Sequence, residues 1–403
     1  MKGGKDKPMS NSTQPIFPTW PSYTDAEIEA TVNVLRSGRV NYWTGKIARS
    51  FEREFAEYTG VANAIAVCNG SVALGAALRA MGIGQRDEVI VTPRTFVASA
   101  SEIVLAGAVP VFADVDSDSQ NITPATIEPL ITSRTRAILA VHLAGWPCPM
   151  PEIMKLATQY GLGVIEDCAQ SHGAAIDGRK VGSWGNVNAF SFCQDKIITT
   201  GGEGGMITTD NSGLWQTLWS MKDHGKNYEI SNAPSNGVRF KWMTHSFGTN
   251  WRLTEMQAAI GRLQLKMLDD WLQLRRRNAH ALLAQLEGEP ALRIPRPAAG
   301  IEHAYYKCYV FVRPEMLKSD WNRDRILDEL VAHGIPCGSG ACPEVYREAA
   351  FAKHPSRPQN PLPIVQMLGE TSMMFPVHPT LTLKHMEMIG DMVKSILAQA
   401  TKV

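Results

Sequence analysis

A chain of 403 residues, 44% of them hydrophobic, buries a substantial core and is too long for one small module, so more than one domain is expected. Forty basic against thirty-nine acidic residues leave a formal charge of +1, which argues against a nucleic-acid or anionic-membrane partner and for a small-molecule task. The seven cysteines are odd in number and dispersed, the pattern of free thiols in a reducing compartment. Residues 1–13 carry Lys2, Lys5 and Lys7 among Gly and Ser without an apolar run, and read as a disordered tail rather than a signal peptide. No segment has the length and apolarity of a membrane span, so the expected location is the cytoplasm.

From Tyr23 onward, Ile28, Val32 and Leu35 at helical spacing predict a helix stopped by Gly38, and a second helix follows the loop Arg39 to Gly45. Short β-branched runs then alternate with helical patterns. Strands are predicted at Ala64–Val67, Glu88–Val91, Val109–Phe112, Ala137–Val141 and Gly163–Ile165, with helices at Ser71–Met81, Ala98–Ala106 and Met150–Tyr160. This alternation implies βαβ units and a mainly parallel sheet covered by helices on both faces, an α/β domain. A helix over Thr254–Leu274 runs into Arg275-Arg276-Arg277, read as its solvated end. Tyr309–Val312, a helix at Asp324–Ala332 and a closing helix at Leu383–Ala398 form a smaller α+β unit. The chain thus divides into a large domain at 14–265 and a small C-terminal domain at 266–403.

The chemistry concentrates in two neighbouring stretches. Lys196 sits among Phe190, Phe192, Ile197 and Ile198, which bury its stem, and is followed by Gly201, Gly202, Gly204 and Gly205, which let backbone approach a planar group. Asp167 ends the predicted strand Gly163-Val164-Ile165-Glu166, at the sheet edge where open α/β folds bind ligands. A lysine that condenses with an aldehyde and an acid facing a pyridinium nitrogen are what pyridoxal phosphate requires. Alternatively, Lys196 is a surface lysine and Asp167 a helix N-cap. Asn69-Gly70-Ser71 opens a helix directly after a strand and offers backbone N–H groups, a hydroxyl and a helix dipole to an anion, although a ligand-free N-cap has the same pattern. Phe96 lies at another strand end, to stack on the ring or to pack in the core. Cys337, Cys342 and His333 lack a CxxC pair or a second ligand cluster, so no metal is expected. No G-x-G-x-x-G follows the first strands, against a dinucleotide-binding dehydrogenase.

On these residues the chain resembles the DegT/DnrJ/EryC1/StrS family of sugar aminotransferases, pyridoxal phosphate enzymes of fold type I, the aspartate aminotransferase-like class. The likeness rests on Asn69–Leu74, Thr95–Ala98, Val111–Asp116, Glu166–Ala174, Ser191–Gly205 and Asn250–Gly261, six motifs in order. By resemblance, Lys196 forms the imine with the cofactor, Asp167 faces the pyridine nitrogen and Gln170 bonds the ring hydroxyl. Phe96 then stacks on the ring, and Gly70, Ser71 and Ser191 hold the phosphate. Asn250 matches the asparagine that reaches the phosphate in the neighbouring subunit, which implies a homodimer with shared active sites. Three departures stand out: Cys193-Gln194-Asp195 replaces an aromatic residue or histidine followed by proline, Gly201-Gly202 carries one extra glycine, and Arg94 replaces an apolar residue.

The resemblance implies transfer of an amino group from L-glutamate to a nucleotide-linked keto-deoxysugar, first a 4-keto-6-deoxyhexose, with pyridoxamine phosphate as the intermediate cofactor form. The sugar nucleotide is expected near Tyr42 and Trp43, with Arg94 or Arg239 on its diphosphate. His245 and His303 are candidates for the donor or the sugar. The alternatives are an aminotransferase for a keto-cyclitol of the scyllo-inosose type and a non-catalytic pyridoxal phosphate-binding regulator. The chain carries no DNA-binding module that would favour the regulator.

Overall fold

The computed structural model describes residues 16–233 and 240–402. The expected tail and Arg239 lie outside the described residues. Helices α1 (Asp25–Ser37) and α2 (Ile47–Thr59) come first. They lead into β1 (Asn63–Val67), α3 (Gly70–Ala80), β2 (Glu88–Val91), α4 (Ala98–Leu105) and β3 (Val109–Phe112). Next are α5 (Pro124–Ile127), β4 (Thr135–Val141), α6 (Met150–Tyr160) and β5 (Gly163–Asp167). The short β6 (Ala175–Ile176) and β7 (Arg179–Lys180) precede β8 (Val187–Ser191), β9 (Gly205–Thr209), α7 (Ser212–Lys222) and α8 (Tyr228–Asn232). After α9 (Glu255–Gln285) follow β10 (Leu292–Arg293), β11 (Ile301–Glu302), β12 (Cys308–Val312) and α10 (Arg323–Ala332). The chain ends with α11 (Pro363–Thr371), β13 (Ser372–Phe375) and α12 (Leu383–Ala400).

Seven strands form one sheet in the order β1-β9-β8-β5-β4-β2-β3. The pairs from β8 through β3 are parallel, while β9 runs antiparallel to both β8 and β1. Every residue of β2 and β8 is buried, because helices cover both faces of the sheet and leave no solvated side for an alternating pattern. Val89, Val91, Leu139 and Ile165 belong to one apolar cluster, and Ile90, Ile138 and Val164 to another.

Helix α9 begins at a reciprocal cap, in which the Thr254 hydroxyl accepts from the Gln257 N–H and the Gln257 side chain bonds back to Thr254. Its early residues Leu265, Leu268 and Leu272 pack with Phe51 and Phe55 of α2, and its later Leu282 and Leu283 with Val393 and Leu397 of α12. The sequence division at 265 falls inside this uninterrupted helix. The basic run Arg275–Arg277 is therefore not the solvated end of a helix, which corrects the sequence reading. Arg275 is 1% exposed and donates to the carbonyls of Tyr305 and Tyr306, while Arg276 donates to that of His303. The three-stranded sheet β10-β12-β13 completes the C-terminal part. Among the described residues no helix is long and apolar enough to cross a membrane.

Candidate active site

Strands β1, β2, β5 and β8 run in the same direction, so their carboxyl ends share one edge of the sheet. A cavity of about 770 Å³ opens there, lined by Gly70, Ser71, Phe96, Asp167, Gln170, Ser191 and Lys196. All of the expected cofactor residues except Asn250 thus meet at one place. Tyr306, Lys307, Tyr309 and the turn Gly340–Cys342 supply the wall from the C-terminal part.

Lys196 follows β8 on a turn held on several sides. Phe192, Ile197 and Ile198 are fully buried, the Phe192 N–H donates to the Gly204 carbonyl over 2.7 Å, and the Trp20 indole N–H donates to the Lys196 carbonyl over 2.8 Å. Lys196 Nζ stands 3.5 Å from Asp195 Oδ1 and 5.1 Å from the centre of the Tyr306 ring. Asp167 ends β5 with its side chain buried, accepting from the Ser99 hydroxyl over 2.8 Å and from the Ala169 N–H over 3.1 Å. Burial pushes its carboxyl above the usual carboxylate range, against the Ser99 and Ala169 hydrogen bonds and the Lys196 charge. No helix starts after Asp167, so the alternative reading as an N-cap does not apply.

The preceding residue, Glu166, points to the opposite face of the strand and serves structure. Its oxygens accept from the N–H groups of Gly182, Trp184 and Gly185 and lie 2.9 Å from His142 Nε2. His142 Nδ1 accepts from the Cys148 N–H over 2.9 Å. Together with Cys168 these side chains bring potential ligand atoms within 4.8 Å of one another, but the carboxylate and the imidazole already spend their lone pairs on protein donors.

The start of α3 is a built cradle. Asn69, rather than Ser71, is the N-cap, accepting from the Val72 N–H over 2.8 Å. The N–H groups of Gly70 and Ser71, in the first turn, have no intrahelical acceptor. A Cβ at Gly70 would lie 2.7 Å from the Ser191 Cβ, and one at Gly205 would lie 2.5 Å from the Asn69 carbonyl oxygen. Glycine at both positions lets β8, β9 and the helix N-terminus close around a small volume. Gln170 Oε1 accepts from the Ala144 N–H. Phe96 is 67% exposed at the cavity rim, not in the core. Ser99, which bridges Thr95 and Asp167, is not legible as a site residue in the sequence, nor are Tyr306, Lys307 and the role of Asp195 beside Lys196, because only the fold brings these groups to the cavity.

The residues expected around the sugar nucleotide are not gathered in this cavity. Tyr42 is 2% exposed with its hydroxyl on Glu52, and the Trp43 indole donates to Asp223. Arg94 does not reach the cavity: its side chain is fully buried, Nε donates to Gln120 over 2.8 Å, and its guanidinium lies 5.9 Å from the ring centre of Tyr309. His303 is likewise withdrawn, stacked 3.9 Å from the Tyr305 ring and accepting its N–H, and burial holds the imidazole down to about 3. His245 and Asn250 are exposed, on a segment that also exposes Phe240, Trp242 and Phe247.

A family model described as the DegT/DnrJ/EryC1/StrS aminotransferase family matches residues 21–394. A UDP-N-acetyl-3-dehydro-alpha-D-glucosamine 3-aminotransferase of Acidithiobacillus ferrooxidans is 35% identical over 356 residues, 88% of this chain and 89% of the relative. An L-glutamine:2-deoxy-scyllo-inosose aminotransferase of Streptomyces kanamyceticus is 33% identical over 393 residues, 93% of this chain and 90% of the relative. Among solved structures, the aminotransferase from Psychrobacter cryohalolentis superimposes with a TM-score of 0.93 at 50% identity, over 95% of this chain and 99% of that one.

Proposed function

The chain belongs to the DegT/DnrJ/EryC1/StrS aminotransferase family, with the fold of the type I sugar aminotransferases, and we propose that it uses pyridoxal phosphate on Lys196 to aminate a nucleotide-linked keto-deoxysugar. The observation that carries this reading is the meeting of Lys196, Asp167 and the first turn of α3 around one cavity. The residues fit that cofactor at each of its ends. A lysine amine answers an aldehyde, a buried carboxylate answers a pyridinium, and a glycine-lined helix N-terminus with Ser71 and Ser191 answers a phosphate.

When bound, the cofactor supplies an electron sink that acidifies the substrate carbon bearing nitrogen. Asp167 would accept a hydrogen bond from the ring nitrogen and keep it protonated; its burial makes that cation the natural partner. Gln170 would bond the ring hydroxyl, Phe96 would cover the ring from the rim, and Asn250 would reach the phosphate held by the other subunit of a homodimer. Lys196 Nζ would serve as the general base, taking a proton from the substrate carbon that bears nitrogen and giving it to the cofactor carbon on the other side of that nitrogen. Over the cycle L-glutamate would give up its amino group and leave as 2-oxoglutarate, whose keto oxygen comes from the water lost as the keto sugar, first a 4-keto-6-deoxyhexose on a nucleotide, is aminated.

The cyclitol aminotransferase relative supports a second reading, in which the acceptor is a keto-cyclitol and the donor L-glutamine. Crossing both donors with a panel of nucleotide-linked keto sugars and free scyllo-inosose separates the two. Amination of a nucleotide sugar with glutamate supports the first reading, and turnover of the cyclitol alone overturns it.

A further inference from the structure

Asp195 lies next to the lysine in sequence, yet what holds its carboxylate comes from more than a hundred residues away. Its Oδ2 accepts the Tyr306 hydroxyl, while Oδ1 stands 3.5 Å from Lys196 Nζ. Tyr306 is itself fixed: its backbone carbonyl accepts from Arg275, and its neighbours Ala304 and Lys307 donate N–H groups to the Gly145 and Ala144 carbonyls. Asp195 and Tyr306 both line the cavity.

We propose that Asp195, braced by Tyr306, is a positioning residue that holds the Lys196 nitrogen on the cavity side and balances the positive charge the amine gains when it accepts a proton. This deepens the reading of Lys196 as the cofactor-bearing lysine and rests on it. The proton that Nζ would take from the substrate carbon would be given up to the cofactor carbon on the other side of the shared nitrogen, so no electrons or atoms are left over. The other charged or titratable groups around Nζ do not replace Asp195. Asp167 is committed to Ser99 and Ala169, Lys307 has the same sign as the amine, and His172 is buried with its imidazole held down to about 3. The Tyr306 phenol is raised by burial and by Asp195 itself, so it stays a donor to the carboxylate.

The test uses wild-type holoenzyme beside Asp195→Asn and Asp195→Glu, with three readouts: the pH midpoint of the bound cofactor's visible absorbance, the single-turnover rate with L-glutamate, and cofactor affinity. A carboxylate near the attachment nitrogen favours its protonated form, so removing the charge lowers the midpoint. Asp195 is about half exposed, so solvent screening limits the shift to roughly half a unit. The single-turnover rate of Asp195→Asn falls about tenfold with cofactor affinity unchanged, and Asp195→Glu restores most of both properties. Unchanged midpoint and rate in Asp195→Asn overturn the inference, as does a loss of rate that merely follows a loss of cofactor affinity in both variants. A wild-type chain with no visible band on adding cofactor overturns the reading of Lys196 as well, which distinguishes the two failures.

Discussion

At the scale of single residues, the proposed site turns on Lys196 and Asp167, which the sequence singles out, and on partners that it does not. Asp167 was visible because it ends a run of β-branched residues, where the sheet edge must lie. Its burial has a consequence for stability. The folded carboxyl holds its proton more tightly than the unfolded one, so its contribution to folding is full below the unfolded value and is lost as pH rises through the folded value. Apo Asp167→Asn is therefore expected to melt at or above the wild-type temperature at pH 7.5, with the difference gone by about pH 4. The same variant gains less in melting temperature from the cofactor and loses roughly 100-fold or more in single-turnover rate. A variant less stable than the wild type in the apo state at pH 7.5 would contradict this. Ser99 and Tyr306 were not legible, because one is an ordinary serine in a helix and the other an aromatic residue in a strand-like run. Only the fold brings them to Asp167 and Asp195. Arg94 and His303 were singled out for their chemistry alone, and the core absorbed them: the side chain of one is held by Gln120 and the ring of the other is stacked on Tyr305.

At the scale of elements, the alternating strands and helices up to β5 match the sequence reading closely, since short β-branched runs and helical periodicity are local signals. Helix α9 ran eleven residues past its expected end at Leu274, because Arg275 is buried against carbonyls from another segment and local charge patterning cannot show that. On the proposed reading, the element on which cofactor binding depends most is α3. Its first turn can approach Ser191 closely only because residue 70 has no Cβ. Gly70→Ala puts a methyl group 2.7 Å from the Ser191 Cβ. The expected cost is about 1–3 kcal/mol of stability, read by thermal melting, with cofactor affinity weakened roughly tenfold, read by equilibrium dialysis. Normal cofactor affinity in this variant would exclude the α3 N-terminus as the phosphate seat.

At the scale of the whole molecule, the cavity of one chain leaves Phe96 exposed, and Asn250, expected at a phosphate, lies outside its own cavity. Completion by a second copy, as proposed for a homodimer with shared sites, would account for both. Lys196→Ala and Asn250→Ala chains, each impaired alone, should regain activity when mixed and reassorted. Each mixed dimer then carries one site with Lys196 from one chain and Asn250 from the other, so about one quarter of all sites become intact. No gain over the separate variants would refute shared sites. The proposed chemistry depends on Lys196 being the residue that carries the cofactor. Borohydride reduction of the holoenzyme followed by peptide mass mapping is the direct measurement. One reduced adduct is expected, on Lys196 and absent in Lys196→Ala; an adduct on another lysine, or none, would contradict a cofactor held by Lys196.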